Sequence, residues 1–172
     1  MPKIINFSKN YIGFGISAME KAISQSILKG RSYGGVTTLV QNKYLSQVTC
    51  LMSAERFVII MIGLTIYINV YFPFKSPGSS DIIKSLLLEI GDIISLYPDY
   101  SIVLGGDLNN DLTDNSESTK HIRSFMSEFN MTFCNELIAP NCNYTYHHRT
   151  LNHWSCVDYF MILSDILLKF EV

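Results

Sequence analysis

This sequence has no large excess of positive or of negative charge. Its 172 residues include 13 Lys and Arg against 15 Asp and Glu, which gives a formal net charge of −2 at pH 7. Without a positive balance, the chain as a whole has no long-range attraction for nucleic acid. Any contact with DNA therefore requires a local basic patch, or basic regions outside this chain.

Cysteine pairs of the C-x-x-C type are also absent, although the chain has four cysteines: Cys50, Cys134, Cys142 and Cys156. Residues 1–10 carry two lysines but no long apolar core, so no cleavable targeting segment is predicted. We therefore expect reduced, mostly buried thiols in an intracellular protein, cytoplasmic or nuclear, rather than in a secreted one.

Internal repeats and linker-like segments are missing too. With 48% hydrophobic and 16% charged residues, the chain lies on the apolar side of globular proteins and far from disordered ones. A length of 172 residues fits one domain with a real hydrophobic core. We therefore predict a single domain over residues 1–172.

One motif near the N-terminus imitates a nucleotide-binding site. Gly13-Phe-Gly15-Ile-Ser-Ala18 matches the G-x-G-x-x-[GA] pattern, and residues 19–28 could follow it as a helix. A dinucleotide site also requires an acidic residue about 20 positions further on. Residues 30–39 contain no Asp or Glu. We therefore predict a glycine-punctuated loop here and no nucleotide cofactor.

A long apolar stretch covers residues 57–74 and is long enough to form a transmembrane helix. Its β-branched content, Gly63 in the middle and Pro73 near the end argue against that interpretation. We predict two paired strands over residues 57–62 and 64–71, buried in a sandwich, and no membrane segment.

The remaining elements follow from periodicity and from breaker residues. Ser79 or Ser80 can cap a helix that ends near Tyr97-Pro98, because proline bars continuation. Its predicted apolar stripe consists of Ile82, Leu86, Ile90 and Ile94. A second helix is predicted over residues 121–130. A strand is predicted over residues 36–40, with residues 44–52 as its partner, and further strands over residues 102–104, 132–134 and 156–163. This order predicts an α/β fold, a layered α/β sandwich.

A cluster of polar side chains follows the predicted strand at residues 102–104. Gly105-Gly106 lets the backbone turn, and Asp107 and Asn109 come directly after it. In an extended segment alternate residues point the same way, so these two side chains can share one pocket. Asp107 can accept a proton or hold a hard cation, and Asn109 can contact a phosphate oxygen. An ordinary surface turn remains the alternative for this composition.

Four stretches form a recognisable series: Asn69-Val-Tyr71-Phe-Pro73, Gly106-Asp107-Leu108-Asn109, Tyr144-Thr145-Tyr146 and Ser155-Cys156-Val157-Asp158-Tyr159. In this order they resemble the motifs of the endonuclease/exonuclease/phosphatase superfamily. Gly30-Arg-Ser-Tyr-Gly-Gly35 also resembles a motif of its non-LTR retrotransposon branch, the LINE or RTE-like endonucleases. The resemblance covers about residues 30–163.

The resemblance implies a metal-dependent phosphodiester hydrolase that acts on DNA with Mg²⁺ or Mn²⁺. Asp107 would orient or deprotonate the attacking water and contribute weakly to the metal site. Asn109 and the Tyr71 hydroxyl would contact the scissile phosphate. Asp158 would fix the tautomer of a catalytic histidine. As structural alternatives, Tyr71 could be an edge-strand aromatic and Asp158 a loop carboxylate.

The chain departs from the family pattern at both ends. A Q-E segment with the metal-binding Glu normally precedes the G-R-x-x-G-G motif, but the only earlier carboxylate is Glu20, which has no preceding Gln. The final S-D-H segment is replaced by Ser164-Asp165 followed by Ile166. We therefore expect an incomplete domain with weakened metal binding and impaired activity.

Two other functions stay open. The chain could be a non-catalytic remnant that keeps the fold and at most binds nucleic acid or protein. It could also be a phosphoinositide phosphatase or a sphingomyelinase-like hydrolase. Phosphatases of the superfamily tend to place a basic residue soon after the motif Asn, whereas this chain has Asn110-Asp111, which favours the nuclease branch.

Three histidines, His147, His148 and His153, lie near Cys142 and Cys156 and suggest a metal site. Their spacing is less regular than that of zinc ligands, and adjacent His147 and His148 would point to opposite sides of an extended segment. We predict instead a surface loop that flanks the substrate groove, where Arg149 could touch a phosphate backbone.

Overall fold

The computed structural model describes residues 3–17, 35–134 and 144–164. The chain divides into two compact units, Met1–Tyr71 and Phe72–Val172. Several predictions lie outside the described residues: the helix at 19–28, most of the G-R-x-x-G-G motif, Glu20, Cys142 and Asp165.

The first unit contains two three-stranded antiparallel arrangements. The first consists of β1 (Lys3–Ser8), β2 (Tyr11–Ile16) and β3 (Val36–Gln41). After a 3-10 helix at Asn42–Gln47, the second consists of β4 (Val48–Ser53), β5 (Phe57–Ile62) and β6 (Thr65–Tyr71). Their apolar faces meet in one cluster: Phe14, Val36, Val40, Val58 and Ile60. Burial of these side chains is the main force that holds the unit together.

The apolar stretch at residues 57–74 forms two paired strands, as predicted. Gly63 lies in the turn between β5 and β6 with φ of 58°, a left-handed conformation that glycine adopts without strain. Within the described residues, we find no helix with the length and apolarity needed to cross a membrane.

Two predictions for the first unit were wrong. The glycine-rich motif around Gly13 and Gly15 is not a loop but most of strand β2, paired on both sides. A Cβ on Gly15 would clash with the backbone oxygen of Val36 and lie 2.9 Å from Thr37 Cα. Close strand packing therefore accounts for this glycine. The predicted partner of β3 was also misassigned, because β3 pairs with β2, and residues 44–52 instead contribute to the 3-10 helix and to β4.

The second unit combines helices with antiparallel strands. Its elements are α1 (Ser79–Ser95), β7 (Ser101–Asp107), α2 (Glu117–Glu128), β8 (Met131–Phe133), β9 (Tyr146–His148), β10 (His153–Ser155) and β11 (Asp158–Leu163). Strand β11 pairs with β7 on one side and with β8 on the other. Strands β9 and β10 form a separate hairpin.

Both helices occur where the periodicity predicts them, with errors at their ends. The buried stripe of α1 is Ile83, Leu87, Ile90 and Ile94, one position away from the prediction in its first half, where Ile82 is 47% exposed. Its N-cap is Gly78 rather than a serine, and the helix ends at Ser95, before Tyr97. Helix α2 begins at Glu117, four residues early, because Ser116 caps it by accepting from the Thr119 N–H.

The three described cysteines, Cys50, Cys134 and Cys156, are free thiols and half-buried. Burial raises the pKa of Cys50 and of Cys134, which keeps both thiols protonated and weakly reactive at neutral pH.

Candidate active site

Two carboxylates face each other at one end of the β7–β11 pair. In the antiparallel register Asp107 lies directly opposite Asp158, at the last residue of β7 and the first of β11. Directly paired residues project to the same face of a sheet, so these two side chains share one side. The structure thus brings together the two aspartates that the motifs single out, 51 positions apart in sequence.

The turn after β7 is closed by its own side chains. Gly106 has φ of 138° and Asn109 has φ of 49°, a left-handed conformation that Asn tolerates better than most residues. The Asn109 N–H donates to Asp107 Oδ1 at 2.8 Å. Asn109 Nδ2 donates to the Phe72 backbone carbonyl at 2.9 Å, and the Phe72 N–H donates to the Asp107 backbone carbonyl at 2.9 Å. Asp107 and Asn109 are therefore held in fixed positions.

The ionisation of Asp107 depends on this environment. Burial raises the pKa of the Asp107 carboxyl, the hydrogen bond from Asn109 opposes that effect, and the negative charge of Asp158 raises the pKa further. A carboxylate with a raised pKa is a better proton acceptor, so Asp107 is suited to act as a base toward a water molecule.

Thr145 fixes the position of Asp158, a function that sequence reasoning missed. Its Oγ1 accepts from the Val157 N–H at 3.0 Å and from the Asp158 N–H at 3.1 Å. Its own N–H donates to the Ser155 backbone carbonyl at 3.0 Å. The Leu108 N–H in turn donates to the Val157 oxygen at 2.8 Å, which joins this loop to the one that carries Asp107. A threonine between two aromatic residues was the signal in the sequence.

Replacing Thr145 by valine is expected to displace Asp158. Valine keeps the shape but removes the oxygen that accepts two backbone N–H groups, which costs about 1–2 kcal/mol of unfolding free energy for partly solvated groups. Thr145→Ser retains the oxygen and serves as the matched control. Urea unfolding measures the loss, and the backbone amide resonances of Val157 and Asp158 should shift in the valine variant alone. Equal stability of both variants would contradict this role.

A cavity of about 490 Å³ opens beside Asp107 and Asn109. The β9–β10 hairpin contributes one face to it, with Tyr146 opposite Ser155 and His148 opposite His153. The other face carries His147, which stacks on Trp154 with ring centroids 3.6 Å apart. As predicted, His147 and His148 point to opposite sides. The hairpin itself was not predicted, since its strands have only three residues each.

The remaining charged side chains of the cavity are already engaged. Lys75 Nζ lies 3.1 Å from Asp114 Oδ2. Although burial by itself would raise it, the pKa of Asp114 is held well below its usual range by hydrogen bonds from Ser116, Thr119 and Lys75. Asp111 Oδ1 accepts from the Thr113 N–H and hydroxyl at 3.0 and 2.6 Å. These bonds reduce the tendency of either carboxylate to bind a ligand.

The donor set for a divalent metal is small. Among the residues that the structure describes, no group of three or more His, Cys, Asp or Glu side chains is arranged to hold a metal. The pair Asp107 and Asp158 remains, with acceptor oxygens on one side of the sheet. Mg²⁺ binds proteins through one or two carboxylates and keeps several waters, so this pair fits a weakly held, hydrated Mg²⁺ or Mn²⁺.

Tyr71 belongs to the first unit. It is the last residue of β6 and half-buried, and its N–H donates to the Arg56 oxygen at 2.8 Å. The Arg56 guanidinium lies 5.8 Å from the Tyr71 ring centroid and donates to the Tyr71 backbone carbonyl at 3.4 Å. Its role as a phosphate contact stays a prediction.

No family model matches this sequence, and no curated protein matches it either. Solved structures do match. The endonuclease domain of TRAS1, a telomere-specific non-LTR retrotransposon, aligns with a TM-score of 0.60 and 17% identity over 81% of this chain and 67% of that one. The 3′ phosphatase NExo from Neisseria, solved with a product DNA hairpin, aligns with a TM-score of 0.61 and 14% identity over 88% of this chain and 73% of that one. At such identities the likeness concerns the fold. The chain thus has the α/β fold of the endonuclease/exonuclease/phosphatase superfamily, as its motifs predict.

Proposed function

We propose that the chain is a divalent-metal-dependent phosphodiester hydrolase that acts on DNA, of the retrotransposon endonuclease type, with slow turnover. The observation that carries the proposal is the direct pairing of Asp107 with Asp158 at the end of β7, next to Asn109 and a cavity. Active sites of open α/β sheets lie at such strand ends. One of the solved structures with a similar fold is a retrotransposon endonuclease domain, and another was solved with bound DNA.

Each side chain of this group has a chemical task in hydrolysis. The Asp107 carboxylate would orient the attacking water and accept a proton from it. Asn109 commits one Nδ2 hydrogen to the Phe72 oxygen, and the second can donate to a phosphate oxygen. Asp107 and Asp158 would hold the metal. What Mg²⁺ supplies when bound is positive charge against the phosphate oxygens.

Slow turnover follows from the small donor set. Two carboxylates hold Mg²⁺ less tightly than three, so a smaller fraction of the protein carries the metal at a given concentration. The rate at a given Mg²⁺ concentration falls with that occupancy.

A non-catalytic remnant is the second candidate, and it is favoured by the absence of a three-ligand metal cluster among the described residues. A phosphoinositide phosphatase is less compatible with the cavity. Its described lining has three aspartates, Asp107, Asp111 and Asp114, against one lysine that already pairs with Asp114. A headgroup with several phosphates would meet more negative than positive charge there.

Plasmid nicking tests the proposal. We expect slow conversion of supercoiled to open-circular DNA with Mg²⁺, faster conversion with Mn²⁺, and none with EDTA. Parallel assays with an inositol trisphosphate and with sphingomyelin should release no product. The absence of metal-dependent nicking at high protein concentration would favour the non-catalytic remnant. Product from the inositol trisphosphate or from sphingomyelin would overturn the choice of DNA as the substrate.

A further inference from the structure

Two histidines of the β9–β10 hairpin have no role in the hydrolysis described above. His148 and His153 are directly opposite each other in the antiparallel register, so both rings project to one face. That face lines the cavity that also contains Asp107 and Asn109. The hairpin thus presents two imidazoles to the space beside the paired aspartates.

The hydrogen bonds of His148 restrict what its ring can bind. The Leu151 N–H donates to His148 Nδ1 at 3.2 Å, so in the neutral ring the proton resides on Nε2. The Tyr146 ring meets the His148 ring edge-on, with centroids 6.3 Å apart, and helps to hold its orientation. With Nδ1 used as an acceptor, the ring has only a donor, Nε2–H, to offer a ligand. A donor-only group suits a ligand that only accepts, such as a phosphate diester, and does not suit a metal ion.

The charges that line the cavity support the same assignment. Lys75 pairs with Asp114, and Asp111 accepts from Thr113, so these three groups are engaged by neighbours. Because the one lysine among the described lining residues pairs with Asp114, a phosphate ester that approaches Asp107 depends on other hydrogen-bond donors for its oxygens. Asn109 supplies one on the side of the β7 turn, and the imidazoles supply others on the hairpin side.

We propose that His148 and His153 form the phosphate-binding element of the cavity, with His148 Nε2–H as its principal donor, and that the ligand is the backbone phosphate of a DNA strand. The identity of the ligand rests on the proposed function. The binding itself requires neither a metal nor turnover.

The chain has four histidines, and the other two provide internal controls: His121 lies in α2, and His147 lies on the opposite face of the hairpin. The experiment titrates the whole, ¹⁵N-labelled chain with the dinucleotide dTpdT in EDTA and follows the imidazole resonances. The signals of His148 and His153 should move, and those of His121 and His147 should stay. Inorganic phosphate and an inositol trisphosphate, titrated separately, distinguish a DNA phosphate from other sources of the same chemistry.

Variants give the size of the contribution. His148→Phe keeps a ring but removes its nitrogens, and we expect dTpdT binding to weaken about fivefold, as for one hydrogen bond. His148→Gln retains a donor and should recover part of the affinity. His147→Gln should bind as the original chain does. If His148→Phe disrupts the hairpin, seen as a changed His147 signal, the titration of the unaltered chain decides alone.

The outcomes separate this inference from the proposed function. If dTpdT shifts the His148 and His153 resonances but the chain does not nick DNA, the phosphate site is retained and the hydrolase function is rejected. If His148→Phe nicks DNA as fast as the original chain, and dTpdT does not shift the His148 signal of the original chain, the phosphate site is overturned. The proposed hydrolase function is retained in that case. Tighter binding of the inositol phosphate than of dTpdT would overturn DNA as the ligand.

Discussion

Asp107→Ala is expected to lower metal-dependent plasmid nicking by about 10²–10⁴-fold, the usual effect of losing an acid–base group. The substitution removes the proton acceptor and one of the two carboxylates that would hold the metal. It also removes the acceptor for the Asn109 N–H, so the turn after β7 loosens. The measurement is the initial rate of open-circle formation at saturating Mn²⁺.

The matched control is Asp99→Ala, which removes a carboxylate from an exposed turn and should leave the rate unchanged. An Asp107→Ala protein that nicks within about tenfold of the original would mean that other residues do the chemistry.

Gly15→Ala is expected to destabilise the first unit by about 3 kcal/mol, at the upper end of the usual cost of overpacking. The new methyl group would meet the backbone of Val36 and Thr37, on a strand that is paired with β2 and cannot yield without breaking the ladder. Urea unfolding followed by circular dichroism gives the change in unfolding free energy.

Gly63 provides the contrast that separates steric clash from backbone strain. It has a positive φ, but no described atom lies within 4 Å of the position that a methyl group would occupy there. Gly63→Ala should therefore cost about 1 kcal/mol, the strain of a single left-handed alanine. Gly63→Asn should cost less, because Asn tolerates that conformation. Equal losses for Gly15→Ala and Gly63→Ala would contradict the packing explanation for Gly15.

The elements that sequence alone predicts well are those with strong local patterns. The apolar run of strand β7 and the apolar stretch divided at Gly63 carry the signal in adjacent residues. The predicted turn at Gly105-Gly106 was wrong, because both glycines lie within β7 and pair with β11, and the chain turns only after Asp107. Asp107 and Asp158 were identified because the segments that contain them resemble motifs of the superfamily. Their opposition in register depends on the pairing of β7 with β11, which brings together residues distant in sequence and is not visible in any local pattern.

The errors have tertiary causes. Ile82 and Ile83 are equally apolar, and only tertiary packing decides that Ile83 is buried while Ile82 is exposed. Strand β4 pairs with β5 because the 3-10 helix at Asn42–Gln47 redirects the chain after β3, and that short helix has no strong sequence signal. The hairpin β9–β10 was missed because three-residue strands give too few positions for alternation to be visible.

The hairpin has a further consequence for how this chain tolerates insertions. Four residues, 149–152, connect His148 to His153, and Asn152 takes a left-handed φ of 45° at the end of that turn. Since side chains alternate along a strand, the parity of the turn length decides which residues of β10 reach the cavity. A one-residue shift of this register would bring Trp154 to the side that His153 occupies, whereas a two-residue shift would return a side chain of the same parity. Changes in the turn that shift the register by one residue should therefore be more damaging than those that leave the pairing in place.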